Sequence, residues 1–349
     1  KERILYALLY FNRKPWIMTT LKELAALLNI SVSTVSKALN NSHEISENTR
    51  LRVKELAVKL NYKPNRIAQQ LKTSKTKTIG VILPTVTNPF FAEVLHGIEM
   101  AATNNDYDII VCLSNETLYK EERSLELLSN GSVDGFIIAV ARESQIKRET
   151  HHIESILDSK IPVLMFDRVV NEIECDKVIV DDFKSVYEAT AYLIEKEHRK
   201  NILLVSNIEE LSVGKLRTKG YTKALQDNNL KPNILKLDNA VDVEESIYNY
   251  LSKNSKIDAV ISIDHITGIV AINMAKKLGK RIPKDMSVIG FGYEHTQLLS
   301  SPKISIIHQK AHKIGEMSMK LLIDNIGAQN HKLQTIVVPS ELNLSESSL

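Results

Sequence analysis

The chain has 349 residues, of which 43% are hydrophobic and 25% charged. This composition is typical of globular proteins rather than disordered ones. The formal net charge of +3 is unevenly distributed, because residues 1–78 contain 15 Lys and Arg against 5 Glu, a net charge of +10. The remainder therefore has a net charge of −7. A basic segment before an acidic remainder indicates two tasks, one involving a polyanion, although a solvated basic surface would give the same count.

Length and cysteine content narrow the class of protein. At about 100–200 residues per domain, the length of the chain predicts two or three domains. The two cysteines, Cys112 and Cys175, are too few for a disulfide framework or a four-cysteine zinc site, and we expect buried thiols in a reducing cytoplasm. Apolar runs stay below the roughly 18–20 residues of a membrane span. The apolar residues near the N-terminus are interrupted at residues 13–15. We therefore expect residues 1–18 to form an N-terminal extension rather than a signal peptide.

The first predicted elements are three short helices within residues 19–64. Thr20 begins a capping box, and Asn29 can adopt the left-handed conformation that ends a helix. Ser31 caps the second helix immediately afterwards, and Ser46 caps the third. Two small helices joined by a tight turn are typical of a helix-turn-helix, although this pattern alone also fits any small helical bundle.

The second predicted helix, residues 32–39, would enter the DNA major groove by its N-terminal end. Its outward residues are mostly small or polar, namely Val32, Ser33, Ser36 and Lys37. Small side chains allow a close approach to base edges, and Lys37 can reach a guanine or a phosphate.

Five segments of the chain contain longer motifs. They are SVSTVSKALN (31–40), NYKPN (61–65), AQQL (68–71), TIG (78–80) and NPFF (88–91). With these motifs the chain resembles the LacI/GalR (lactose-repressor) family of bacterial transcription regulators. The resemblance covers nearly everything from about Thr19 onward.

The resemblance implies how the N-terminal part would contact DNA. Val32, Ser33 and Lys37 match base-reading positions, and residues 65–72 match a hinge helix that forms when two subunits lie side by side on an operator. Leu71 matches an apolar wedge in the minor groove, where unstacking costs about a few kcal/mol and the kinked duplex contacts more protein. The implied DNA-binding residues are Thr20, Ser31, Val32, Ser33, Thr34, Ser36, Lys37, Asn40, Tyr62, Asn65, Arg66, Ala68, Gln69, Leu71 and Lys72.

After residue 78, short apolar segments alternate with helix-length segments. This alternation is typical of parallel sheets with helices on both faces. The predicted strands are 79–83, 109–113, 136–140, 163–166, 178–180, 202–205, 259–263, 288–291, 304–307 and 336–338. Predicted helices include 89–105, 183–195, 213–228 and 266–278. Ten strands suit two doubly wound lobes, with ligands expected at the carboxyl ends of the strands or between the lobes.

The fold class that follows is an N-terminal all-α helix-turn-helix head plus hinge helix, then an α/β bilobal body of two doubly wound parallel sheets that is periplasmic-binding-protein-like. We expect the DNA-binding domain at 19–64, the hinge helix and linker at 65–77, and the effector-binding and dimerisation domain at 78–349. The first lobe should comprise about 78–175 with 308–335, and the second about 176–307 with 336–349.

The body shows no pattern typical of an enzyme. A Gly-rich phosphate loop is missing after the first predicted strand, and the chain has only 12 glycines. Asp181 and Asp182 follow a strand and should point in opposite directions, which disfavours a shared acid–base role. His151 and His152 lack a metal-binding motif and fit a solvated helix face. We therefore expect neither catalysis, nor a cofactor, nor a metal.

The resemblance instead implies reversible binding of a small effector, a carbohydrate or a related metabolite. The matching positions are Phe90, Phe91, Asp167, Arg217, Asp264 and Gln309. Arg217 can donate two hydrogen bonds, Asp167 can accept from hydroxyls, and Phe90 or Phe91 can stack on a sugar face. Two alternatives stay open, since Phe91 also suits the core and Asp264 suits a helix cap.

Two positions depart from the sugar-binding pattern of the family. Ile263 replaces the usual Asn, and Gly292 replaces the usual Asp after a Gly-aromatic pair. An unmet hydrogen bond costs about 1–3 kcal/mol. Ordinary hexoses should therefore bind less well, and an effector that is less polar, phosphorylated or contacted elsewhere would fit.

These observations predict a homodimeric regulator that binds operator DNA, acts as a repressor, and responds to an effector that changes the angle between the lobes. The competing class is a periplasmic small-molecule binding protein with the same bilobal body. That class predicts an export signal and no basic head, whereas the sequence shows the opposite.

Overall fold

The structure is a computed structural model that describes residues 19–62, 75–237, 242–328 and 330–349. Internal contacts divide the chain into two units, Lys1–Thr76 and Lys77–Leu349. The N-terminal extension and the hinge-helix prediction at 65–72 lie outside the described residues.

The described part of the first unit contains three helices, α1 (Leu21–Leu28), α2 (Val32–Leu39) and α3 (Glu47–Lys59). All three predicted caps are present. Thr20 forms a complete capping box with Glu23. Ser31 accepts a hydrogen bond from the Thr34 amide, and Ser46 accepts one from the Thr49 amide, each of which would otherwise lack a partner in the first turn of its helix. Asn29 ends α1 with a φ of 54°.

The core of the head is built from one face of each helix. Leu24 of α1, Val35 of α2 and Val53 of α3 are fully buried against one another. The Thr19 hydroxyl donates to the Leu60 carbonyl oxygen at 3.1 Å, which ties the start of α1 to the end of α3. The other face of α2 is consequently left toward solvent.

The second unit contains twelve strands and ten helices among its described residues. The strands are β1 (Thr78–Leu83), β2 (Asp108–Leu113), β3 (Gly135–Ile138), β4 (Val163–Phe166), β5 (Asp176–Val180), β6 (Ile202–Ser206), β7 (Ile234–Lys236), β8 (Ala259–Ser262), β9 (Ser287–Gly292), β10 (Ser305–His308), β11 (Thr335–Val338) and β12 (Glu341–Asn343). The helices are α4 (Pro89–Thr103), α5 (Leu118–Ser129), α6 (Arg142–Lys147), α7 (His151–Asp158), α8 (Asp182–Glu195), α9 (Ser212–Asp227), α10 (Val243–Lys253), α11 (Thr267–Lys277), α12 (Glu294–Gln297) and α13 (Ala311–Gly327).

Two six-stranded sheets define two lobes. The first has the order β11-β5-β4-β3-β1-β2 and is parallel throughout. The second has the order β12-β10-β9-β8-β6-β7, in which only the β10–β12 pair is antiparallel. All ten predicted strands are present, as are the four predicted helices. The prediction missed β7 and β12, which have three residues each.

The predicted division between the lobes was wrong at two strands. β5 was assigned to the second lobe, but it pairs with β4 in the first sheet. β11 was also assigned to the second lobe, but it pairs with β5. The chain therefore passes between the lobes three times, after β5, after β10 and after β11.

Two glycines let helices α4 and α13 cross at close range in the first lobe. A Cβ atom at Gly97 would lie 2.1 Å from the His312 carbonyl oxygen, and one at Gly315 would lie 2.0 Å from the Val94 carbonyl oxygen. Any side chain at either position would collide with backbone, so the crossing depends on glycine.

The two cysteines differ in their surroundings. Cys175 is buried, and burial raises the pKa of its thiol to about 11. Cys112 is only partly buried, contrary to the prediction, because it lies in the edge strand β2. Among the described residues, helices are too short or too polar to cross a bilayer.

Candidate functional site

A cavity of about 430 Å³ lies between the two lobes, within the range of about 300–1,000 Å³ common for small-molecule sites. Its walls come from the residues that follow the carboxyl ends of the parallel strands, as expected for doubly wound sheets. The lining residues are Thr85, Thr87, Asn88, Phe90, Phe91, Glu116, Arg142, Asp167, Arg168, Asn207, Ile208, Val213, Arg217, Asp264, His265, Ile266, Phe291, Gly292, Tyr293, His308, Gln309, Lys310 and Ala311. All six residues predicted for effector binding lie in this cleft.

Arg217 is held rigidly by its own lobe. Its Nε donates to Asp182 Oδ1 and its Nη1 to the Ile263 carbonyl oxygen, each at 2.7 Å. Its guanidinium carbon lies 3.7 Å from the centroid of the Phe291 ring, a cation–π contact. These contacts occupy one edge and one face of the guanidinium and fix its orientation in the cleft.

Two buried carboxyl groups lie near Arg217. Burial raises the pKa of Asp182 to about 6, and the guanidinium of Arg217 partly opposes this rise while Asp167 adds to it. Burial likewise raises the pKa of Asp167, against the opposing charges of Arg217 and Arg168. Asp167 adopts a left-handed backbone conformation, with a φ of 55°, directly after β4. The cleft thus places an acceptor from the first lobe opposite a donor from the second.

Asp264 caps a helix, as one of its two predicted roles requires, and it also lies in the cleft. Its Oδ1 accepts from the amides of Ile266 and Thr267 at 2.8 and 2.9 Å, and its Oδ2 accepts from the Thr267 hydroxyl at 2.5 Å. Its carboxylate therefore fixes the start of α11 while the residue lines the cleft. With both oxygens already engaged, Asp264 has little capacity left for a ligand.

The two phenylalanines after β1 differ in burial. Phe91 is 1% exposed and packs edge-on against Phe166, with centroids 6.2 Å apart. Phe90 is partly buried and contacts Phe91 edge-on at 5.3 Å. The core alternative therefore describes Phe91 better, although its edge reaches the cleft. Phe90 is the aromatic side chain that a ligand could contact from this side.

Glu116 organises the side of the cleft formed by the first lobe. Its carboxylate accepts from Arg168 Nη1 at 2.6 and 2.8 Å and from the backbone amide of Arg142 at 2.9 Å. Arg168 in turn lies over the ring of Phe91, 5.2 Å from its centroid. Glu116 adopts a φ of 63° after β2, and no motif in the sequence indicated its role.

Two polar atoms in the cleft have no hydrogen-bond partner in the described structure. Gln309 Nε2 is a donor, and Asn207 Oδ1 is an acceptor, and both atoms are buried. The Gln309 amide lies near enough to Asp167 to lower the pKa of that carboxyl, but it makes no hydrogen bond of normal geometry. Buried polar groups are nearly always paired, so these two atoms indicate where a ligand or water would bind.

Direct hydrogen bonds also join the two lobes beside the cleft. Arg142 Nη2 of α6 donates to the Asn207 carbonyl oxygen at 3.0 Å. Gln145 Nε2 donates to Ser212 Oγ at 3.1 Å, and the Ser212 amide donates to Gln145 Oε1 at 3.2 Å. We call these residues, Arg142 and Gln145 on one side and Asn207 and Ser212 on the other, the interlobe bridge.

A buried cluster fixes the helix from which the interlobe bridge extends. The Glu121 carboxylate accepts from the Ala141 amide at 2.5 Å and from Ser144 Oγ at 2.6 Å. Its other neighbour is His152 Nε2 at 2.9 Å. The prediction of a solvated face was therefore wrong for His152, which is buried, and correct for His151, which is exposed.

The two residues that depart from the family pattern, Ile263 and Gly292, place no polar side chain in the cleft. Ile263 points into the core of the second lobe, and only its carbonyl oxygen serves the site by accepting from Arg217. Gly292 lines the cleft without a side chain. Asp182 supplies the carboxylate that pairs with Arg217. Asp181, its neighbour, caps α8 by accepting from the Lys184 amide at 2.9 Å, so the two carboxylates do point apart.

No cluster of three or more metal-ligating side chains occurs in the part of the chain that the structure describes. The cleft offers hydrogen-bond donors, acceptors and an aromatic edge, a combination that is common in small-molecule binding sites.

The solvent face of α2 carries the residues predicted to read bases. Val32 is 40% exposed, and Ser33 is exposed beside it. Lys37 forms an ion pair with Glu44, so its ammonium is held at the C-terminal end of the helix. Thr20, Ser31 and Asn40 are exposed as helix caps, whereas Tyr62 packs partly against the core of the head. Thr34 and Ser36 are partly buried on α2, and Asn65, Arg66, Ala68, Gln69, Leu71 and Lys72 lie outside the described residues.

Comparison with known proteins agrees with both units. Residues 76–346 match the model for periplasmic binding proteins and the sugar-binding domain of the LacI family. Residues 20–65 match the model for bacterial regulatory proteins of the lacI family.

Individual relatives align over nearly the whole chain. The transcriptional regulator RegA of Clostridium saccharobutylicum is 30% identical over 95% of this chain and 99% of its own. The ribose operon repressor of Haemophilus influenzae is 29% identical over 95% of this chain and 98% of its own. The solved lac repressor dimer, bound to operator and an anti-inducer, superposes with a TM-score of 0.85 at 21% identity, covering 95% of this chain and all of that one.

The head and the bilobal body together define an effector-controlled type of DNA-binding regulator. The chain belongs to the LacI family of bacterial regulatory proteins.

Proposed function

We propose that this protein is a transcriptional repressor that binds operator DNA as a homodimer and releases or engages it in response to a small carbohydrate or related metabolite. The observation that supports this most is the presence, in one chain, of a helix-turn-helix with an exposed small-residue helix face and a bilobal body with a polar cleft. Relatives named as repressors, and a lac repressor dimer solved on its operator, have the same two parts.

DNA recognition would use α2 in the major groove. Val32 and Ser33 lie at the N-terminal end of that helix, where side chains reach base edges. Ser31, Thr34, Ser36, Lys37 and Asn40 would contact bases or phosphates around them. Residues 65–72 would form the hinge helix, with Leu71 as the minor-groove wedge.

Effector binding would use the cleft residues of both lobes. Asp167 would accept hydrogen bonds from ligand hydroxyls, and Arg217 and Gln309 would donate to ligand oxygens. Phe90 would contact an apolar face of the ligand. A ligand held by Asp167 and Arg217 at once would favour the closed arrangement of the lobes, and that preference is the means by which it would alter DNA binding.

The alternatives explain fewer features. A periplasmic binding protein would have no use for the basic head, and an enzyme would need a reactive group that the cleft does not offer. Because its partner is chromosomal DNA, we assign the protein to the cytoplasm.

Selection of binding sites from a random duplex library, followed by titration at increasing salt, tests the proposal. A dimeric regulator should select a pseudo-palindrome, and log K should fall with log salt by about 0.9 for each phosphate neutralised. Analytical ultracentrifugation of the complex should give two chains per duplex. Failure to select any site, or binding that does not respond to salt, would refute the proposal.

A further inference from the structure

We propose that Glu121 is a positioning residue for the contact between the lobes. Its buried carboxylate holds α6, the helix from which the interlobe bridge extends, in the place where that helix reaches the second lobe. How readily the cleft opens then depends on a side chain that is not part of the cleft lining. The inference rests on the proposed function only in treating the cleft as the site of the effector.

Helix α6 depends on other elements for its position. It has six residues, whereas isolated helices shorter than about 12–15 residues are marginal in water. Its N-cap residue is Ala141, whose side chain has no atom that could accept from the amides of the first turn. The amides at the start of a helix need acceptors, so those of α6 must find them in neighbouring elements.

Two carboxylates supply acceptors at the start of α6. Glu116 accepts from the Arg142 amide at 2.9 Å. Glu121 accepts from the Ala141 amide at 2.5 Å and from the Ser144 hydroxyl at 2.6 Å. Glu116 also lines the cleft, whereas Glu121 does not. Glu121 therefore acts on α6 without contacting a ligand in the cleft.

The Glu121 carboxylate is fully buried, with 0% of the residue exposed. Its third donor is His152 Nε2 at 2.9 Å, and in the described part of the chain no Lys or Arg forms a salt bridge with it. A buried carboxylate is tolerated only while its oxygens keep their hydrogen-bond donors. A shift of α6 would withdraw the Ala141 and Ser144 donors together, so burial makes these hydrogen bonds a strong restraint on the helix.

His152 completes the set of donors from a third helix, α7. Because a carboxylate only accepts, His152 Nε2 carries the proton in its hydrogen bond to Glu121. The other ring nitrogen, Nδ1, is buried and has no hydrogen-bond partner in the described structure. The imidazole therefore has no competing contact that would draw it away from Glu121.

From α6 the contacts continue into the second lobe. Gln145 exchanges two hydrogen bonds with Ser212. Arg142 donates to the Asn207 carbonyl oxygen. Ser212 is the first residue of α9, the helix that carries Arg217. A displacement of α6 would therefore break the interlobe bridge and release the start of α9.

Amide hydrogen exchange at Ser212 measures the interlobe bridge in the full-length protein. As the first amide of α9, the Ser212 amide has no acceptor within its own helix and donates instead to Gln145 Oε1. Glu121→Gln keeps the size of the side chain but replaces an acceptor oxygen by an amino group that cannot accept. We expect exchange at Ser212 to become about tenfold faster or more, because a buried donor loses its acceptor.

Ser144→Ala is a milder variant that removes one donor to Glu121 and changes no charge. It should accelerate exchange at Ser212 about threefold, and it carries the same test if Glu121→Gln folds poorly. Glu126→Gln is the matched control, since Glu126 is exposed on the same helix, α5. This control should leave exchange at Ser212 unchanged.

Exchange at Leu225 separates positioning from general destabilisation. Leu225 is buried in α9, so its amide should exchange faster only if Glu121→Gln weakens the body as a whole. We expect its rate to stay the same while the rate at Ser212 rises. Equal acceleration at both amides would show a merely structural role for Glu121 and would overturn the inference.

A double-mutant cycle shows whether Glu121 acts through α6. Once Gln145→Ala has removed its hydrogen bonds to Ser212, Glu121→Gln should change exchange at Ser212 by less than about twofold, because both changes act on the same contact. Independent effects of the two substitutions, or unchanged exchange in Glu121→Gln alone, would contradict the proposal. Operator affinity of the unchanged protein is measured in parallel. Its absence would refute the proposed regulator function and would leave the exchange results as the separate test of Glu121.

Discussion

Arg217 shows how a single residue can be fixed before any ligand arrives. Three contacts from the second lobe, with Asp182, Ile263 and Phe291, set its guanidinium in one orientation. A preorganised donor loses little conformational freedom when a ligand binds, which improves affinity. Asp167, which faces Arg217, belongs to the first lobe. The distance between these two side chains therefore depends on how far apart the lobes are.

Replacing Arg217 should separate effector response from DNA binding. We expect Arg217→Ala to bind operator DNA as the unchanged protein does but to lose the change in operator affinity that an effector causes, the effector being first identified by a thermal-shift screen of sugars, sugar phosphates and nucleosides. Arg281→Ala is the control, because Arg281 is an exposed residue of the same lobe paired only with Asp285. Operator affinity with and without the effector is measured, and an undiminished response in Arg217→Ala would remove this residue from the site.

Asp182 should make stability depend on pH in a defined direction. Its pKa in the folded protein is raised to about 6, so between about pH 4 and 6 the folded state binds a proton that the unfolded state has lost. The contribution of Asp182 to the free energy of unfolding is therefore greatest at low pH and falls as pH rises through this window.

Asp182→Asn removes that titration. The difference in free energy of unfolding, unchanged protein minus variant, should fall between about pH 4 and 6 and be flat above pH 7, as measured by urea unfolding. Taking the difference cancels groups that do not interact with Asp182, whereas the titrations of Asp167 and Asp181, whose charges help to raise its pKa, stay coupled to it. A difference that rises with pH would mean that the ion pair with Arg217 outweighs burial.

Among the secondary-structure elements, the crossing of α4 and α13 is the most sterically restricted contact. Gly97→Ala would place a methyl group 2.1 Å from the His312 carbonyl oxygen, and backbone cannot move aside as a side chain can. We expect a loss of stability at or above the upper end of the about 1–3 kcal/mol typical of overpacking. Urea unfolding of the full chain provides the measurement.

Gly327→Ala is a matched control at the end of α13. A Cβ atom there would meet nothing within 4 Å. Alanine should be neutral or stabilising by up to about 1 kcal/mol, because it favours helix more than glycine does. Equal losses in both variants would mean that close approach is not what selects glycine at position 97.

The interlobe bridge should control how readily the cleft opens. Gln145→Ala removes the acceptor of the Ser212 amide and the donor to Ser212 Oγ. Each hydrogen bond contributes about 0.5–1.5 kcal/mol, so amide exchange at Ser212 should accelerate several-fold or more in hydrogen-exchange measurements.

Lys147→Ala is the control for the interlobe bridge, since Lys147 lies on the same helix and pairs only with Glu143 at the surface. It should leave exchange at Ser212 unchanged. If Gln145→Ala also leaves it unchanged, the lobes stay closed for some other reason.

The sequence predicted elements better than it predicted their partners. The ten apolar segments became strands because a buried parallel strand needs apolar residues on both faces, a local property. Assignment of β5 and β11 to the wrong lobe has a different origin, since sheet membership depends on pairing between residues far apart in the chain. Strands as short as β7 and β12 left no pattern to detect.

The same contrast applies to the candidate site. Arg217 and Gln309 could be selected because they match pocket positions of the family that the sequence resembles. Glu116 and Asn207 could not, because their importance arises from neighbours contributed by other strands. In the sequence, Asp182 stood out only as a neighbour of Asp181, and a shared acid–base role for these two residues was disfavoured.

At the scale of the whole molecule, the head and the body should unfold separately. The head has a small core centred on residues such as Leu24, Val35 and Val53, and small domains are marginally stable. Scanning calorimetry should therefore show two transitions. Operator DNA should raise the head transition and a bound sugar the body transition, because each ligand stabilises the unit to which it binds. A single transition that rises equally with either ligand would contradict this.

The three passages between lobes also bear on how the protein is made. The first sheet is completed by β11 and the second by β12, and these strands follow one another at residues 335–343. A ribosome that has synthesised the chain as far as His331 has supplied neither sheet with its last strand. The three helices that the structure describes in the head, by contrast, are complete once Lys59 has emerged. A nascent chain would therefore carry a folded head for the whole time that both lobes of its body are still incomplete.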